Sequence, residues 1–310
     1  MKIDIFTHTI PEKWWAAVCK KYNELSIERS LPLDIKLRAM ERTPDVCEIL
    51  TLAPLPPLEA IVTPEDQVEF CQIANDEMAE LVYKYPDKFL GAVACLPLKD
   101  MDAALKETDR AITKLRFKGV LVVPSLLGDQ LDEPKYRPLY EKMAKYDLPI
   151  WIHPCTSPGY TKGKMPNILE APPYHMGSWP LATTNCMLHL VFSGIFNDYP
   201  DIKFITHHCG GVLPMLEGRV KYLSDQGLEP EHPARKWKGH LRKFYNDTAT
   251  MGTTSALMCG YDYFGMEHLL FGTDGLTLET IKSVERMNIP EDAKEKIFSQ
   301  NAIDLLHLRI

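Results

Sequence analysis

The segment Met1-Lys2-Ile3-Asp4-Ile5-Phe6-Thr7-His8-Thr9-Ile10-Pro11 opens the chain with an alternating pattern that predicts a β-strand. Because successive side chains of a strand point to opposite faces, we expect Phe6 and His8 on the same face. His8 follows the predicted strand Lys2–Thr7 and so lies at its carboxyl end. A metal site built there would be expected to draw a ligand from position 6 as well, and phenylalanine cannot coordinate a metal.

Short β-rich runs alternate with helical patterns along the rest of the chain, which predicts parallel strands joined by helical crossovers. Helix starts are recognisable between them: Thr63-Pro64-Glu65-Asp66 combines an N-cap residue, a proline at the first helical position and early acids. Eight runs predict an α/β fold, a closed (β/α)8 TIM barrel. The candidate strands are Lys2–Thr7, Val46–Leu52, Phe89–Cys95, Gly119–Pro124, Pro149–His153, Ile202–Thr206, Phe244–Asp247 and Leu269–Gly272.

The chain has 310 residues, of which 45% are hydrophobic, and we find no linker, low-complexity tract or fixed-period repeat in it. This organisation predicts one barrel domain over residues 1–310. The segments 22–58 and 156–178 are longer than barrel loops require, and both follow strands whose ends would face the mouth of the barrel. We predict that they form lids or walls of a functional site there.

Composition and net charge limit the classes of binding partner and the cellular compartment that we expect. The net charge is −7 without a dense stripe of lysine and arginine, which argues against nucleic acid or an anionic membrane as the main partner. The amino terminus enters a strand directly and lacks the basic and apolar regions of a secretory signal. Eight cysteines lack the spacing of a disulfide framework, which favours a reducing compartment. We therefore expect a cytoplasmic protein.

Polar side chains suited to metal or proton chemistry follow four of the predicted strands, namely His8, His153, the pair His207 and His208, and Asp274. In a barrel the carboxyl ends of the strands converge on one mouth. Imidazole and carboxylate groups suit Zn²⁺ or Mn²⁺ with an open position for water, whose pKa the metal lowers to about 7. We predict one metal per chain on His8, His153 and Asp274, with His208 or His207 as general base.

Several motifs carry a family resemblance. They are Ile3-Asp4 followed by His8, Lys36-Leu37-Arg38-Ala39-Met40-Glu41, Trp151-Ile152-His153-Pro154, His208-Cys209-Gly210-Gly211, Gly218-Arg219, Phe271-Gly272-Thr273-Asp274 and Asn301-Ala302. Together they resemble the amidohydrolase superfamily over nearly the whole chain. Within it the chain is most similar to the aminocarboxymuconate-semialdehyde decarboxylase-like branch, which includes the aromatic-acid decarboxylases.

The resemblance implies a metal-dependent decarboxylase that removes CO₂ without redox chemistry from a small unsaturated or aromatic carboxylic acid. It implies that His8 and His153 bind the metal, that Asp274 binds it and shuttles protons, and that His208 activates the metal-bound water. His207 would then be a structural neighbour. These assignments are motif matches in this sequence.

The same resemblance suggests contacts with substrate. Arg219 falls where the family places an arginine that can cross a dimer interface to a substrate carboxylate, so a homodimer or larger homo-oligomer is implied. Lys36 falls where another carboxylate-binding arginine often lies. His175 and Trp179 belong to the long loop after the fifth strand and are further candidates for substrate binding. Asp247, at the end of the seventh strand, is a candidate hydrogen-bond partner of a ligand histidine.

One residue departs from the family's metal-binding motif, so the sequence leaves more than one functional hypothesis. Phe6 replaces the first histidine of the family's paired motif, a position that some relatives fill with glutamate. Three protein ligands and water still form an acceptable catalytic site, whereas a metal-free site would work by acid–base groups alone. A hydrolase or hydratase is the second functional hypothesis, because it would start from the same activated water. A non-catalytic ligand-binding barrel is the third, and an apolar side chain in the metal's position would favour it.

Overall fold

The structure is a computed structural model that describes the chain except residues 23–31, 54–60, 124–129, 155–171, 228, 230, 231 and 276. Side chains of residues 172–176, 233 and 234 are also outside the description. Of the first long loop predicted, 22–58, residues 23–31 and 54–58 lie outside the described residues, and the described part contains a helix and a strand. Of the second, 156–178, residues 156–171 lie outside them.

The strands of the described chain form two parallel sheets. The first has the order β1-β2-β3 and the second the order β4-β5-β6-β7-β8-β9, so each strand pairs with the next one in sequence. Their bounds are β1 Lys2–Thr9, β2 Val46–Leu52, β3 Phe89–Ala92, β4 Ala94–Cys95, β5 Val120–Val122, β6 Ile150–Ile152, β7 Phe204–Thr206, β8 Tyr245–Asp247 and β9 Leu269–Leu270.

Backbone hydrogen bonds connect these sheets into a ring. Only Val93 separates β3 from β4, and its amide still bonds the Leu50 carbonyl at 2.9 Å, so β3 and β4 form one barrel strand with a break. At the other seam, the Ile5 amide donates to the Phe271 carbonyl at 2.9 Å and the Asp274 amide to the Phe6 carbonyl at 3.2 Å. These bonds join the first strand to the end of the last, and the predicted (β/α)8 architecture is confirmed.

Helices follow the strands as the sequence predicted. Thr63 caps the third of them by accepting a hydrogen bond from the Asp66 amide at 3.2 Å, with Pro64 as first helical residue. The helices are α1 Glu12–Lys21, α2 Leu33–Met40, α3 Pro64–Lys84, α4 Met101–Thr113, α5 Arg137–Tyr146, α6 Pro172–Phe192, α7 Ile195–Asp198, α8 Leu213–Gly227, α9 Trp237–Leu241, α10 Thr254–Phe264, α11 Thr277–Glu285, α12 Glu291–Glu295 and α13 Asn301–Leu305. Within the described part of the chain, none of them combines the length and apolarity that crossing a bilayer requires.

Buried apolar side chains of the described residues form three clusters, the smallest of which includes Leu269 and Phe271 at the last strand. One cluster contains the β1 residues Ile3, Ile5 and Phe6 together with Trp151, and the C-terminal segment around Leu305 packs against it. The indole nitrogen of Trp151 donates to the Ile5 carbonyl at 3.0 Å, which ties two strands together within that cluster. A larger cluster includes buried apolar side chains of both helices and strands. The packed interior holds the strand ends at fixed positions, on which the candidate site depends.

Candidate metal centre

Four side chains at strand ends converge on one point of the barrel mouth. The Nε2 atom of His8, in β1, lies 3.2 Å from Nε2 of His153, which follows β6. The same His8 atom lies 3.0 Å from Oδ1 of Asp274, which follows β9. His207, directly after β7, places its Nε2 atom 3.7 Å from that Asp274 oxygen. The three histidines each offer a donor atom within 4.8 Å of the others.

This donor set fits a divalent transition metal. Ligand bonds of 2.0–2.2 Å around a tetrahedral ion place neighbouring donor atoms about 3.4 Å apart, close to the 3.0, 3.2 and 3.7 Å separations found here. Buried polar atoms normally have hydrogen-bond partners, yet Nε2 of His207, which lies 3.7 Å from Asp274, has none among the described residues. Nitrogen and carboxylate donors with unused valence are what a zinc or manganese ion would take up.

Phe6 lies beside the donor atoms and not among them. It is fully buried, and its ring is stacked on His207 with a centroid distance of 3.9 Å and an interplanar angle of 12°. Its ring centroid is 5.8 Å from that of His8 and 5.9 Å from that of His153. A phenyl ring cannot fit between atoms 3.0–3.2 Å apart. Phe6 therefore does not fill the position of a metal, which was the arrangement expected of a non-catalytic barrel.

His207 belongs to the cluster as well, and its ring is fully buried. Its Nδ1 atom hydrogen-bonds Oδ2 of Asp247. The other oxygen of Asp247 accepts from the backbone amides of Cys209 at 3.3 Å and Ala249 at 2.9 Å. Burial alone would lower the pKa of His207, but the Asp247 and Asp274 carboxylates outweigh it and raise that pKa to about 10. Asp247 thus orients a histidine of the cluster.

His208 differs from His207 in environment. Its ring stacks on His207 with a centroid distance of 4.0 Å, and its Nδ1 atom lies 3.1 Å from the Ala249 carbonyl oxygen. A proton on Nδ1 satisfies that carbonyl and leaves Nε2 unprotonated. Burial and the neighbouring His207 lower the pKa of His208 to about 4. His208 is therefore a neutral imidazole at pH 7, with a lone pair available to accept a proton.

The turn that follows β7 explains the Cys209-Gly210-Gly211 motif. Four consecutive residues have left-handed backbones, with φ of 56° at His208, 54° at Cys209, 72° at Gly210 and 66° at Gly211. A Cβ atom at Gly211 would lie 2.1 Å from the Pro180 carbonyl oxygen, so that position accepts only glycine. The strained turn brings both histidines to the mouth in sequence-adjacent positions.

His153 and Asp274, two further candidate ligands, each have a defined protonation state. Burial, and then the nearby His8 and His207, lower the pKa of His153 well below its usual value, and its Nδ1 atom bonds the Pro154 carbonyl at 2.7 Å. Its Nε2 lone pair consequently faces the cluster. Burial would raise the pKa of Asp274, but His207 and His8 hold it well below the usual range. Asp274 is an anion between two imidazoles.

Lys36 is already paired. Its buried ammonium lies 2.7 Å from the Glu48 carboxylate and donates to the Thr7 hydroxyl at 3.0 Å. Burial and the negative charge of Glu48 raise the pKa of the neighbouring Asp4 to about 7, and Asp4 accepts from the Thr273 amide at 3.1 Å. Lys36 therefore neutralises buried carboxylates in this structure, and its contact with substrate stays a prediction.

The other predicted substrate contacts have different outcomes. Trp179, in α6, lies beside the cluster, with its ring centroid 5.9 Å from that of His153 and 6.3 Å from that of His208. The side chain of His175 lies outside the described residues. Arg219 is exposed on α8, away from this cluster's hydrogen bonds and ion pairs among the described residues. No sequence motif singled out Glu48, because its pairing with Lys36 depends on the fold.

Comparison with known proteins gives consistent matches. A protein-family model described as amidohydrolase matches residues 28–308. The 2-amino-3-carboxymuconate-6-semialdehyde decarboxylase of Dictyostelium discoideum is 25% identical over 99% of this chain and 92% of its own length. The gamma-resorcylate decarboxylase of Rhizobium sp. (strain MTP-10005) is 32% identical over 78% of this chain and 76% of its own.

Among solved structures, the dihydroxybenzoic acid decarboxylase of Polaromonas sp. JS666 superposes with a TM-score of 0.79. It is 26% identical, with 99% of this chain and 96% of that chain covered. That structure contains bound manganese and the inhibitor 2-nitroresorcinol.

Proposed function

Because this chain belongs to the amidohydrolase family, we propose that it is a metal-dependent decarboxylase, which removes CO₂ without redox chemistry from a small aromatic or unsaturated carboxylic acid. The observation that carries the proposal is that His153 and Asp274 both approach the Nε2 atom of His8, at 3.2 and 3.0 Å. Decarboxylases that match most of the chain support the reaction type. Fold alone would not suffice, since barrels serve many chemistries.

The metal would be one Mn²⁺ or Zn²⁺ ion per chain, held by His8, His153 and Asp274. Manganese in a matching decarboxylase structure supports a divalent ion, and imidazole donors are equally suited to zinc. When bound, the ion supplies a positive charge that draws electrons from a carboxylate or adjacent oxygen of the substrate. The chain's own residues manage the protons.

Decarboxylation replaces the carboxylate on a carbon by a proton. Asp274 would deliver that proton, after which the bond to the carboxylate carbon breaks, CO₂ leaves and the electron pair returns to the unsaturated system. Because its pKa is held low, Asp274 is ionised at rest and has to receive a proton in each turnover. Neutral His208, which offers a donor atom within 4.8 Å of one on Asp274, can relay that proton from water or from an acidic group of the substrate.

The substrate would lie against Trp179, whose indole is beside both His153 and His208. An aromatic wall suits a flat, unsaturated acid, because rings stack with a stabilisation of about 0.5–1.5 kcal/mol. His175 and Arg219 remain predicted contacts, the second from a neighbouring subunit.

A substrate panel tests the proposal. We expect that protein loaded with Mn²⁺ or Zn²⁺ releases CO₂ from at least one hydroxylated benzoic acid or unsaturated dicarboxylic acid, measured as gas evolution together with the decarboxylated product. Hydrolysis of lactones or amides by the same preparation, with no CO₂ from any acid, would instead establish the hydrolase alternative.

We predict an oligomer through the exposed face of α8. Met215, Tyr222 and Leu223 are 79%, 62% and 54% exposed and share one face with Arg219 by helical spacing. An apolar stripe of this kind favours a protein interface.

In sedimentation experiments we expect the wild type to be a dimer or larger and Tyr222→Glu to be monomeric and, lacking the partner's Arg219, inactive. Tyr83→Glu is the matched control, since Tyr83 is 90% exposed on α3; full activity in a monomeric wild type would contradict the prediction.

A further inference from the structure

His207 has a donor nitrogen with no assigned use. Its Nε2 atom is buried without a hydrogen-bond partner among the described residues, and lies 3.7 Å from Oδ1 of Asp274. One donor atom of His207 is also within 4.8 Å of those of His8 and His153. We propose that His207 is a fourth protein ligand of the metal and replaces the ligand that the chain lacks at position 6.

The hydrogen bond to Asp247 orients His207 for this role. A metal-binding imidazole has one nitrogen on the ion and usually donates its other N–H to a carboxylate or carbonyl. Asp247 accepts a hydrogen bond from the Nδ1–H group of His207, and its second oxygen accepts hydrogen bonds from the backbone amides of Cys209 and Ala249. Nε2 therefore points away from Asp247, and a bound ion would take the place of the proton that the raised pKa of His207 keeps on this nitrogen in the metal-free protein. His208 also hydrogen-bonds a carbonyl through Nδ1, that of Ala249 at 3.1 Å, but among the described residues its donor atom groups only with those of His207 and Asp274, whereas His207 also groups with His8 and His153.

Phe6 then helps to position His207. Its ring lies parallel to the imidazole of His207 at 3.9 Å, and the ring of His208 stacks on the same imidazole at 4.0 Å. These two stacking contacts restrict rotation of the His207 ring and hold it ready for the ion. Position 6 supports a ligand from β7 where a relative would supply a ligand from β1. His207 therefore substitutes for the ligand that is missing at position 6, and Phe6 holds His207 in place.

The inference rests on the proposed function only in assuming that the site binds a metal. A third imidazole beside one carboxylate favours Zn²⁺ over Mn²⁺, since imidazole is a better donor for zinc. Zinc alone is therefore the probe, and metal affinity is measured without any substrate.

The experiment compares Zn²⁺ affinity, by competition with a chromophoric chelator, in metal-free wild type, His207→Gln, the double variant Phe6→His/His207→Gln, and His208→Ala. We expect one Zn²⁺ per chain in the wild type and binding at least about 100-fold weaker in His207→Gln, because even the outer partners of ligand histidines are worth 10–100-fold. The double variant should recover most of the affinity by restoring a ligand at position 6. His208→Ala, which removes one stacking contact on His207 but no ligand, should weaken binding by no more than about 10-fold.

Circular dichroism of each metal-free variant establishes that it is folded. Wild-type affinity in folded His207→Gln would overturn the inference and leave a site of His8, His153 and Asp274. If His207→Gln does not fold, X-ray absorption at the zinc edge of the wild type decides instead: three imidazole ligands support the inference and two overturn it. A wild type that binds no zinc overturns it as well. The expected affinities together with no decarboxylase activity would remove the proposed function and leave this inference standing.

Discussion

Asp274→Asn is expected to lower the decarboxylation rate by at least about 10³-fold, because general acid–base groups contribute 10²–10⁴-fold and this residue is also a predicted ligand. The substitution keeps the size of the side chain and one oxygen donor, but the amide cannot carry a proton to carbon. It also removes the anion that lies 3.0 Å from Nε2 of His8. Measuring kcat and bound metal on the same samples separates lost proton transfer from lost metal.

The control for this experiment is Asp262→Asn, which changes an exposed aspartate on α10. We expect its rate and metal content to equal those of the wild type. If Asp274→Asn retained more than a tenth of the wild-type kcat at full metal occupancy, the proton donor would have to be another group, and His208 would be the next residue to replace.

Lys36→Met is expected to lower the free energy of unfolding by about 3–5 kcal/mol, since removal of one partner leaves the other as a buried, uncompensated charge. Lys36 and Glu48 are 8% and 6% exposed, and the carboxylate of Asp4 lies in the same buried cluster. Methionine retains most of the packing of the lysine stem, so the loss reports the missing charge. Urea denaturation of the wild type and the variant measures it.

The double variant Lys36→Met/Glu48→Gln tests that explanation, because it removes both charges together. It should recover at least half of the lost stability, as buried ion pairs are often replaceable by neutral groups. Lys106→Met, at an exposed position of α4, should change stability by no more than about 0.5 kcal/mol. A Lys36→Met variant as stable as Lys106→Met would show that the pair contributes little to stability and would favour the predicted contact of Lys36 with substrate.

The barrel was predictable from sequence because its signals are local. Each predicted strand is a short apolar run bounded by turn residues, and the run at Phe89–Cys95 was correct even though the strand is broken at Val93. The convergence of His8, His153 and Asp274 followed from a rule of topology: parallel strands present their carboxyl ends at one mouth.

The placement of His207 was not predictable in the same way. Adjacent histidines at a strand end give no indication of which one turns inward, and here the choice depends on the left-handed turn from His208 to Gly211 and on the carboxylate of Asp247. The Lys36–Glu48 pair was missed for a related reason, since it joins α2 to β2 through space. Contacts between residues distant in sequence depend on packing that periodicity does not encode.

The seam between β1 and the last strand has a consequence for how the protein is made. The Ile5 amide bonds the Phe271 carbonyl, and at 5–20 residues per second a ribosome exposes β1 on the order of tens of seconds before that partner exists. During this interval Ile3, Ile5 and Phe6 form an open, apolar strand edge, which is prone to pair with other nascent chains. Asp4 interrupts that edge with a charge while the strand is exposed to water, and it is buried on Thr273 only when the barrel closes. We therefore expect Asp4, whose burial costs stability in the folded protein, to reduce association between incompletely translated chains.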